Sequence, residues 1–210
     1  RDFKEVNDWE TVIFVYQSAL KQVETKIDIL NGEFQHRHKY NPIEHVKSRI
    51  KTPESIVKKL KRHGYESSIE NMVRYVNDIA GIRISCSFTS DIYLIADMIS
   101  KQNDLTILAR RDYMKNPKKS GYRSYHMLVT TPVFLSDSII DTKVEIQIRT
   151  VAQDFWATLE HKMHYKFEGD GPDYITKELR ECARYVAELD TRMEELNNEI
   201  QKYGKLSDKK

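Results

Sequence analysis

The sequence predicts an α/β fold, a sheet built from alternating strands and helices and flanked by a long amphipathic helix near each end of the chain. Three observations carry this reading. In the N-terminal segment, apolar residues recur at steps of four and three: Trp9, Ile13, Tyr16, Leu20, Val23, Ile27, Leu30 and Phe34. That is the seam of a long helix. A second seam runs through Leu179, Cys182, Val186, Leu189, Met193, Leu196, Ile200 and Tyr203. Between the two, the hydrophobic period switches repeatedly between that of a helix and that of a strand. The expected organisation is a helix within 1–40, a core over 41–170, and a helix with a polar tail over 171–210, all in one domain.

Within the core, β-branched and aromatic runs predict strands over 82–88, 105–110, 125–131 and 143–149. Helical spacing predicts helices over 53–63, 69–76, 91–101 and 151–165. Clustered Pro and Gly place loops at 116–121 and 168–172.

Composition excludes several function classes. The 34 Lys and Arg nearly cancel the 32 Asp and Glu, leaving +2, too little to coat a nucleic acid non-specifically. A polyanion would therefore bind at a local cluster of cations, and no specific nucleic acid is expected as a partner. No apolar run approaches the roughly 18 residues needed to cross a bilayer, and no signal-peptide pattern is present. Cys86 and Cys182 lie far apart and form no paired framework, so a reducing cytoplasm is the expected setting.

Four segments could carry chemistry. In the first, Arg49 to Ile56, Thr52 is a natural N-cap and Pro53 a natural first helical residue. Ser55, Lys59 and Arg62 follow at spacings of four and three, near one helical face. Free backbone N–H groups at such a helix start favour an anion, and a polyphosphate is the natural guest. A capped surface helix with solvated lysines would look the same.

In the second segment, Asp78 stands just before a strand, where a carboxylate can face a cleft and hold a magnesium ion. Gly81 permits a close backbone approach. Arg83 alternates with Ile82 and Ile84, and arginine suits phosphate contact or stacking on a purine. Asp78 could also be only a turn residue.

The third segment, Val144 to Arg149, alternates strictly, so Glu145, Gln147 and Arg149 share one face of a strand. Either that face is open to water or it lines a site. In a site, Glu145 would charge-balance a metal or accept a proton, and Gln147 would read a polar edge. The fourth segment, Lys115 to His126, is a basic, Gly-containing loop leading into a strand. Such a loop can wrap phosphates, with Tyr122 free to stack on a base. Lys118, Lys119, Arg123 and the upstream Arg111 concentrate positive charge there. A solvated hairpin loop is the plain alternative.

Order decides what no single cluster does. The succession RIKTPESIVKKL, NDIAGIRI, GYRSYH, VEIQIRT and FWATLEHKMHYKF, spanning about residues 42–168, resembles the RelA/SpoT-type synthetase domain, in particular its small stand-alone members. The resemblance implies a mixed sheet related to the nucleotidyltransferase fold. It implies ATP as pyrophosphoryl donor, GDP or GTP as acceptor, and AMP with ppGpp or pppGpp as products.

Carried over by motif, Arg49 and Arg83 would sandwich the adenine, and Lys51, Ser55, Lys59 and Arg62 would hold the donor phosphates. Asp78 and Glu145 would ligate Mg2+, with Glu145 also accepting the 3′-hydroxyl proton. Tyr122 would stack on the guanine, with Lys118, Arg111, Gln147 and His161 completing the acceptor site. Asp154 stands where many relatives carry Asn, so no guanine contact is assigned to it. None of the seven histidines is followed by Asp, so the His-Asp hydrolase motif of the long relatives is absent and hydrolysis is not expected.

Two further expectations complete the reading. Eight apolar positions on the C-terminal helix exceed what one short contact consumes, so a homo-oligomer is expected, a tetramer as the small members suggest. A catalytically silent nucleotide- or RNA-binding regulator on the same scaffold is the rival function. Its weakness is the acidic pair, since a binder of polyanions has little use for Asp78 and Glu145 in one cleft.

Overall fold

The computed structural model describes residues 8–166 and 172–207. The chain opens with helix α1 (Trp9–His38), started by the Asp8 carboxylate, which accepts from the backbone N–H groups of Glu10 and Thr11. It ends where Lys39 turns left-handed, with φ 51°. α1 buries Val12, Val15, Tyr16, Ala19, Leu20, Val23 and Ile27. This stripe is wider than the expected seam, because α1 lies across a sheet rather than along one helix.

The sheet has five strands: β1 (Ile43–Ile50), β2 (Ala80–Cys86), β3 (Thr106–Asp112), β4 (Tyr125–Phe134) and β5 (Ile139–Thr150). Their order is β1-β2-β5-β4-β3. β2 and β5 run parallel, and every other neighbouring pair is antiparallel. The mixed sheet agrees with the expected fold class. β1 is an addition, since no strand was expected before residue 82. It is an edge strand with most side chains exposed, so it lacks the apolar alternation that marks a half-buried strand. β4 and β5 also extend beyond the expected spans and meet in a tight hairpin, where the Leu135 N–H donates to the Ser138 carbonyl at 2.8 Å.

The remaining helices are α2 (Pro53–Arg62), α3 (Ile69–Tyr75), α4 (Thr89–Ser100), α5 (Val151–Lys166) and α6 (Asp173–Ser207). Residues 168–171 of the expected second loop lie outside the described residues. No helix among the described residues is long and apolar enough to cross a membrane.

Alternation gives the sheet two unlike faces. Ile82 and Ile84 of β2, Met127 and Val129 of β4, and Val144, Ile146 and Ile148 of β5 are buried in the main core with α1 and α4. Fully burying each such side chain contributes about 1.5–3 kcal/mol. The opposite face is polar. The register places Lys47 beside Arg83, Arg83 beside Gln147, Gln147 beside His126 and His126 beside Arg111, one continuous row across all five strands.

α5 and α6 close one side of this polar face. Trp156, Ala157 and Ala183 form a second, smaller core, against which Tyr122, Leu179 and Val186 pack. The Trp156 indole N–H donates to the Leu179 carbonyl at 2.8 Å. Further along α6, Asp190 accepts from the Thr150 hydroxyl at 2.6 Å and from Gln153 at 3.3 Å. Around and beyond that anchor Leu189, Met193, Leu196, Ile200 and Tyr203 are all exposed.

Candidate active site

A cavity of about 710 Å³ opens on the polar face of the sheet. Nine of the residues expected at a site line it: Arg49, Lys59, Arg83, Arg111, Lys118, Tyr122, Glu145, Gln147 and His161. They come from β1, α2, β2, β3, the loop before β4, β5 and α5. Seven Lys and Arg side chains (Arg49, Lys59, Arg83, Arg111, Lys118, Arg149 and Lys162) face two glutamates, Glu145 and Glu160. A concave surface with that excess focuses field on an anion with several charges.

On the β1 side, Asp78 sits directly behind Lys59. Its two carboxylate oxygens accept from Lys59 Nζ at 2.8 Å and Lys51 Nζ at 3.0 Å. Burial pushes the Asp78 carboxyl up, but the hydrogen bonds from Lys59 and Lys51 outweigh it and hold the group below its usual range. The Lys51 backbone N–H is itself tied to the Ile79 carbonyl at 2.8 Å, which fixes the start of α2 against the start of β2. Thr52 caps α2 as expected, its hydroxyl oxygen accepting from the Ser55 N–H at 3.3 Å. Ser55 is exposed in the first turn and does not line the cavity. Arg62 is exposed in the last turn, about 10 Å further along the axis by helical rise.

At the centre, Glu145 accepts from Gln147 Nε2 at 2.6 Å. Gln147 in turn accepts from Arg149. Arg149 is only 2% exposed, and its guanidinium lies 5.4 Å from the centre of the Tyr122 ring, donating to the Tyr122 hydroxyl at 3.2 Å.

On the β4 side, Tyr122 meets His126 Nε2 at 2.8 Å, and Tyr113 stands edge-on to both rings. Burial and the nearby cations Lys118, Arg149 and Arg111 push His126 down to about 3, so the imidazole is neutral at pH 7. The Tyr122 hydroxyl is itself raised by burial. Lys118 Nζ lies 4.9 Å from the Tyr113 ring centre and 5.0 Å from that of Tyr122. The loop is held by a turn at Gly121, whose φ of +96° suits glycine. A Cβ at Gly121 would stand 2.6 Å from the Ala183 Cβ, so the loop packs directly on α6.

Of the two expected acids, Glu145 lines the cavity, whereas Asp78 does not and instead bonds Lys59, which does. Sequence reasoning missed Tyr113, His126 and Arg149 as site residues. Two of them had a signal: Arg149 continues the Glu145 and Gln147 face, and His126 closes the GYRSYH motif beside Gln147. Tyr113 had none, because it follows β3 in a turn.

The sequence and its fold can now be set beside known proteins. A family profile described as the region found in RelA/SpoT proteins matches residues 48–170, more than half of the chain. The chain belongs to the RelA/SpoT family. It is 45% identical over 200 residues to the GTP pyrophosphokinase YwaC of Bacillus subtilis (strain 168), covering 95% of each protein. Its fold matches the crystal structure of small alarmone synthetase 2 from Bacillus subtilis, with a TM-score of 0.84, 44% identity, and 91% of this chain and 99% of that one covered. It also matches small alarmone synthetase 1 of Bacillus subtilis bound to its product pppGpp, with a TM-score of 0.85, 34% identity, and 92% and 98% covered. At these coverages the matches reach beyond residues 48–170 into both terminal helices, so α1 and α6 belong to the shared architecture.

Proposed function

We propose that the chain is a (p)ppGpp synthetase that transfers the β,γ-diphosphate of ATP to the 3′-hydroxyl of GDP or GTP. The carrying observation is the position of Glu145. It lies mid-cavity, with the lysine pair at Asp78 on one side and the Tyr122, Lys118 and His126 group on the other. A carboxylate between two cationic, partly aromatic subsites suits transfer between two nucleotides. The relatives named above, a GTP pyrophosphokinase and a synthetase holding pppGpp, support the same chemistry.

In this reading Lys51 and Lys59 hold the donor phosphates, and Arg49 and Arg83 hold its adenine. Tyr122 stacks on the guanine, while Lys118 and Arg111 grip the acceptor phosphates, with Gln147 and His161 beside them. Glu145 takes the proton from the 3′-hydroxyl. The freed oxygen bonds to the β-phosphorus, the bond from that phosphorus to the α,β-bridging oxygen breaks, and AMP leaves with that oxygen.

In this reading a magnesium ion would be held by Asp78 and Glu145 once the donor phosphates draw Lys51 and Lys59 off the Asp78 carboxylate. Asp78 and Glu145 offer two carboxylates beside a phosphate site, and Mg2+ is commonly held by one or two carboxylates plus substrate phosphates. The ion would neutralise charge on the transferred group.

The exposed apolar row on α6 supports a homo-oligomer, a tetramer in the pattern of the small synthetases. Both nucleotides are cytoplasmic metabolites, and the free thiols of Cys86 and Cys182 suit that compartment. Incubating the protein with ATP, GDP and Mg2+ tests the proposal. AMP is expected only when both nucleotides are present, and binding of both without AMP would instead mark a silent regulator.

A further inference from the structure

Asp154, in the first turn of α5, lies between two arginines that serve different halves of the cavity. Its Oδ1 stands 3.6 Å from Arg83 Nη1 and 3.8 Å from Arg149 Nη1. Both separations are ion pairs, yet both exceed the roughly 2.7–2.9 Å of a charge-assisted hydrogen bond. Arg83 Nε, Arg149 Nε and Asp154 Oδ1 are all buried with no hydrogen-bond partner. Three orphaned polar atoms in one triad are costly while open, and a shift of under an ångström would bring Asp154 Oδ1 to charge-assisted distance of either Nη1.

The triad also has ends. Arg149 donates to the Tyr122 hydroxyl at 3.2 Å and to Gln147, which bonds Glu145. Arg83 lines the β2 side of the cavity, in register with Lys47 of β1. A chain thus runs from Tyr122 through Arg149 and Asp154 to Arg83, with one carboxylate as its only acidic link.

We infer that Asp154 is a positioning residue that couples the two nucleotide subsites, drawing Arg83 and Arg149 together when both are filled. A ligand that orders Tyr122 restrains Arg149, and one that orders Arg83 restrains the other end. Either brings the shared carboxylate closer to its closed position, so the second ligand has less left to order. Such coupling is reciprocal. The inference rests on the proposed two-nucleotide site.

Titration calorimetry with α,β-methylene-ATP, which cannot transfer its diphosphate, measures the coupling without turnover. Saturating GDP is expected to tighten analogue binding to the wild-type protein by about fivefold or more, the lower end of ordinary coupling. Asp154→Asn keeps the shape and removes the charge, and is expected to bring that factor close to one while each nucleotide still binds alone. A merely structural role for Asp154 would lower the melting temperature and leave the coupling intact. An undiminished factor in the variant overturns the inference. So does a wild-type protein that binds both ligands independently, a result that needs no variant. Failure of either nucleotide to bind the wild-type protein at all would refute the two-nucleotide site itself.

Discussion

Lys59 Nζ stands 2.8 Å from one oxygen of Asp78, while Lys51 takes the other oxygen at 3.0 Å. Donor phosphates arriving at the lysines would compete with the carboxylate for the same ammonium groups. Asp78 would thereby be released toward a divalent ion that the phosphates bring with them. Binding of metal and donor would therefore be linked. Manganese binding followed by electron paramagnetic resonance is expected to be weak alone and strong with α,β-methylene-ATP. Asp78→Asn should lose most of that enhancement; an unchanged enhancement would remove Asp78 from the metal's surroundings.

The same carboxylate carries a pH dependence. Its pKa in the folded chain lies below the usual 3.8, so its ion pairs stabilise the fold above that value. The contribution is lost as pH falls through the folded-state value. Asp78→Asn, which leaves two ammonium groups unpaired, is expected to cost about 1–3 kcal/mol at pH 7. Urea melts at successive pH values should show the gap between wild type and variant closing below about pH 4.

Tyr122 invites a graded test. Tyr122→Phe keeps the aromatic face but removes the hydroxyl that meets Arg149 and His126, and is expected to weaken the guanine nucleotide modestly. Tyr122→Ala removes the stacking surface, worth about 1–3 kcal/mol per base. Its KM for GDP should rise by about 5- to 150-fold by the same energy, with the KM for ATP changing much less.

Much of this site was legible before any coordinates. The strict alternation of Val144 to Arg149 specified which side chains share a face, and β5 presents them that way because its other face is core. The cap at Thr52 likewise followed from one residue and its neighbours. What local pattern could not supply was depth and partnership. The alternation left open whether the face carrying Arg149 meets water or lines a site, yet Arg149 is buried because α5 and α6 close over the end of β5. The Asp78 ion pairs join β2 to α2 across a gap in sequence that no periodicity spans. β1 escaped notice because an edge strand leaves little apolar signature.

The contact between Gly121 and α6 makes the loop before β4 sensitive to a single methyl group. Gly121→Ala would place a Cβ 2.6 Å from Ala183 in a backbone conformation that disfavours side chains. A loss of about 1–3 kcal/mol is expected from strain of this kind, together with weaker GDP binding as Lys118 and Tyr122 shift. A melting temperature equal to wild type would show that the loop is not pinned there.

For assembly, light scattering at micromolar concentration is expected to give a multiple of the monomer mass. Leu196→Glu, placed on the exposed row of α6, should lower that mass. A monomeric wild-type protein would refute the oligomer.

The most direct test of the account follows one labelled atom. ATP carrying radioactive phosphorus at the β position is mixed with GDP and Mg2+, and the nucleotides are separated. The predicted result is unlabelled AMP and label on a guanosine product bearing a 3′-diphosphate. With Glu145→Gln, turnover is predicted to fall by about 10²- to 10⁴-fold, with both nucleotides still bound. Label in ADP, or normal transfer by the variant, would contradict the role given to Glu145 and the reaction built around it.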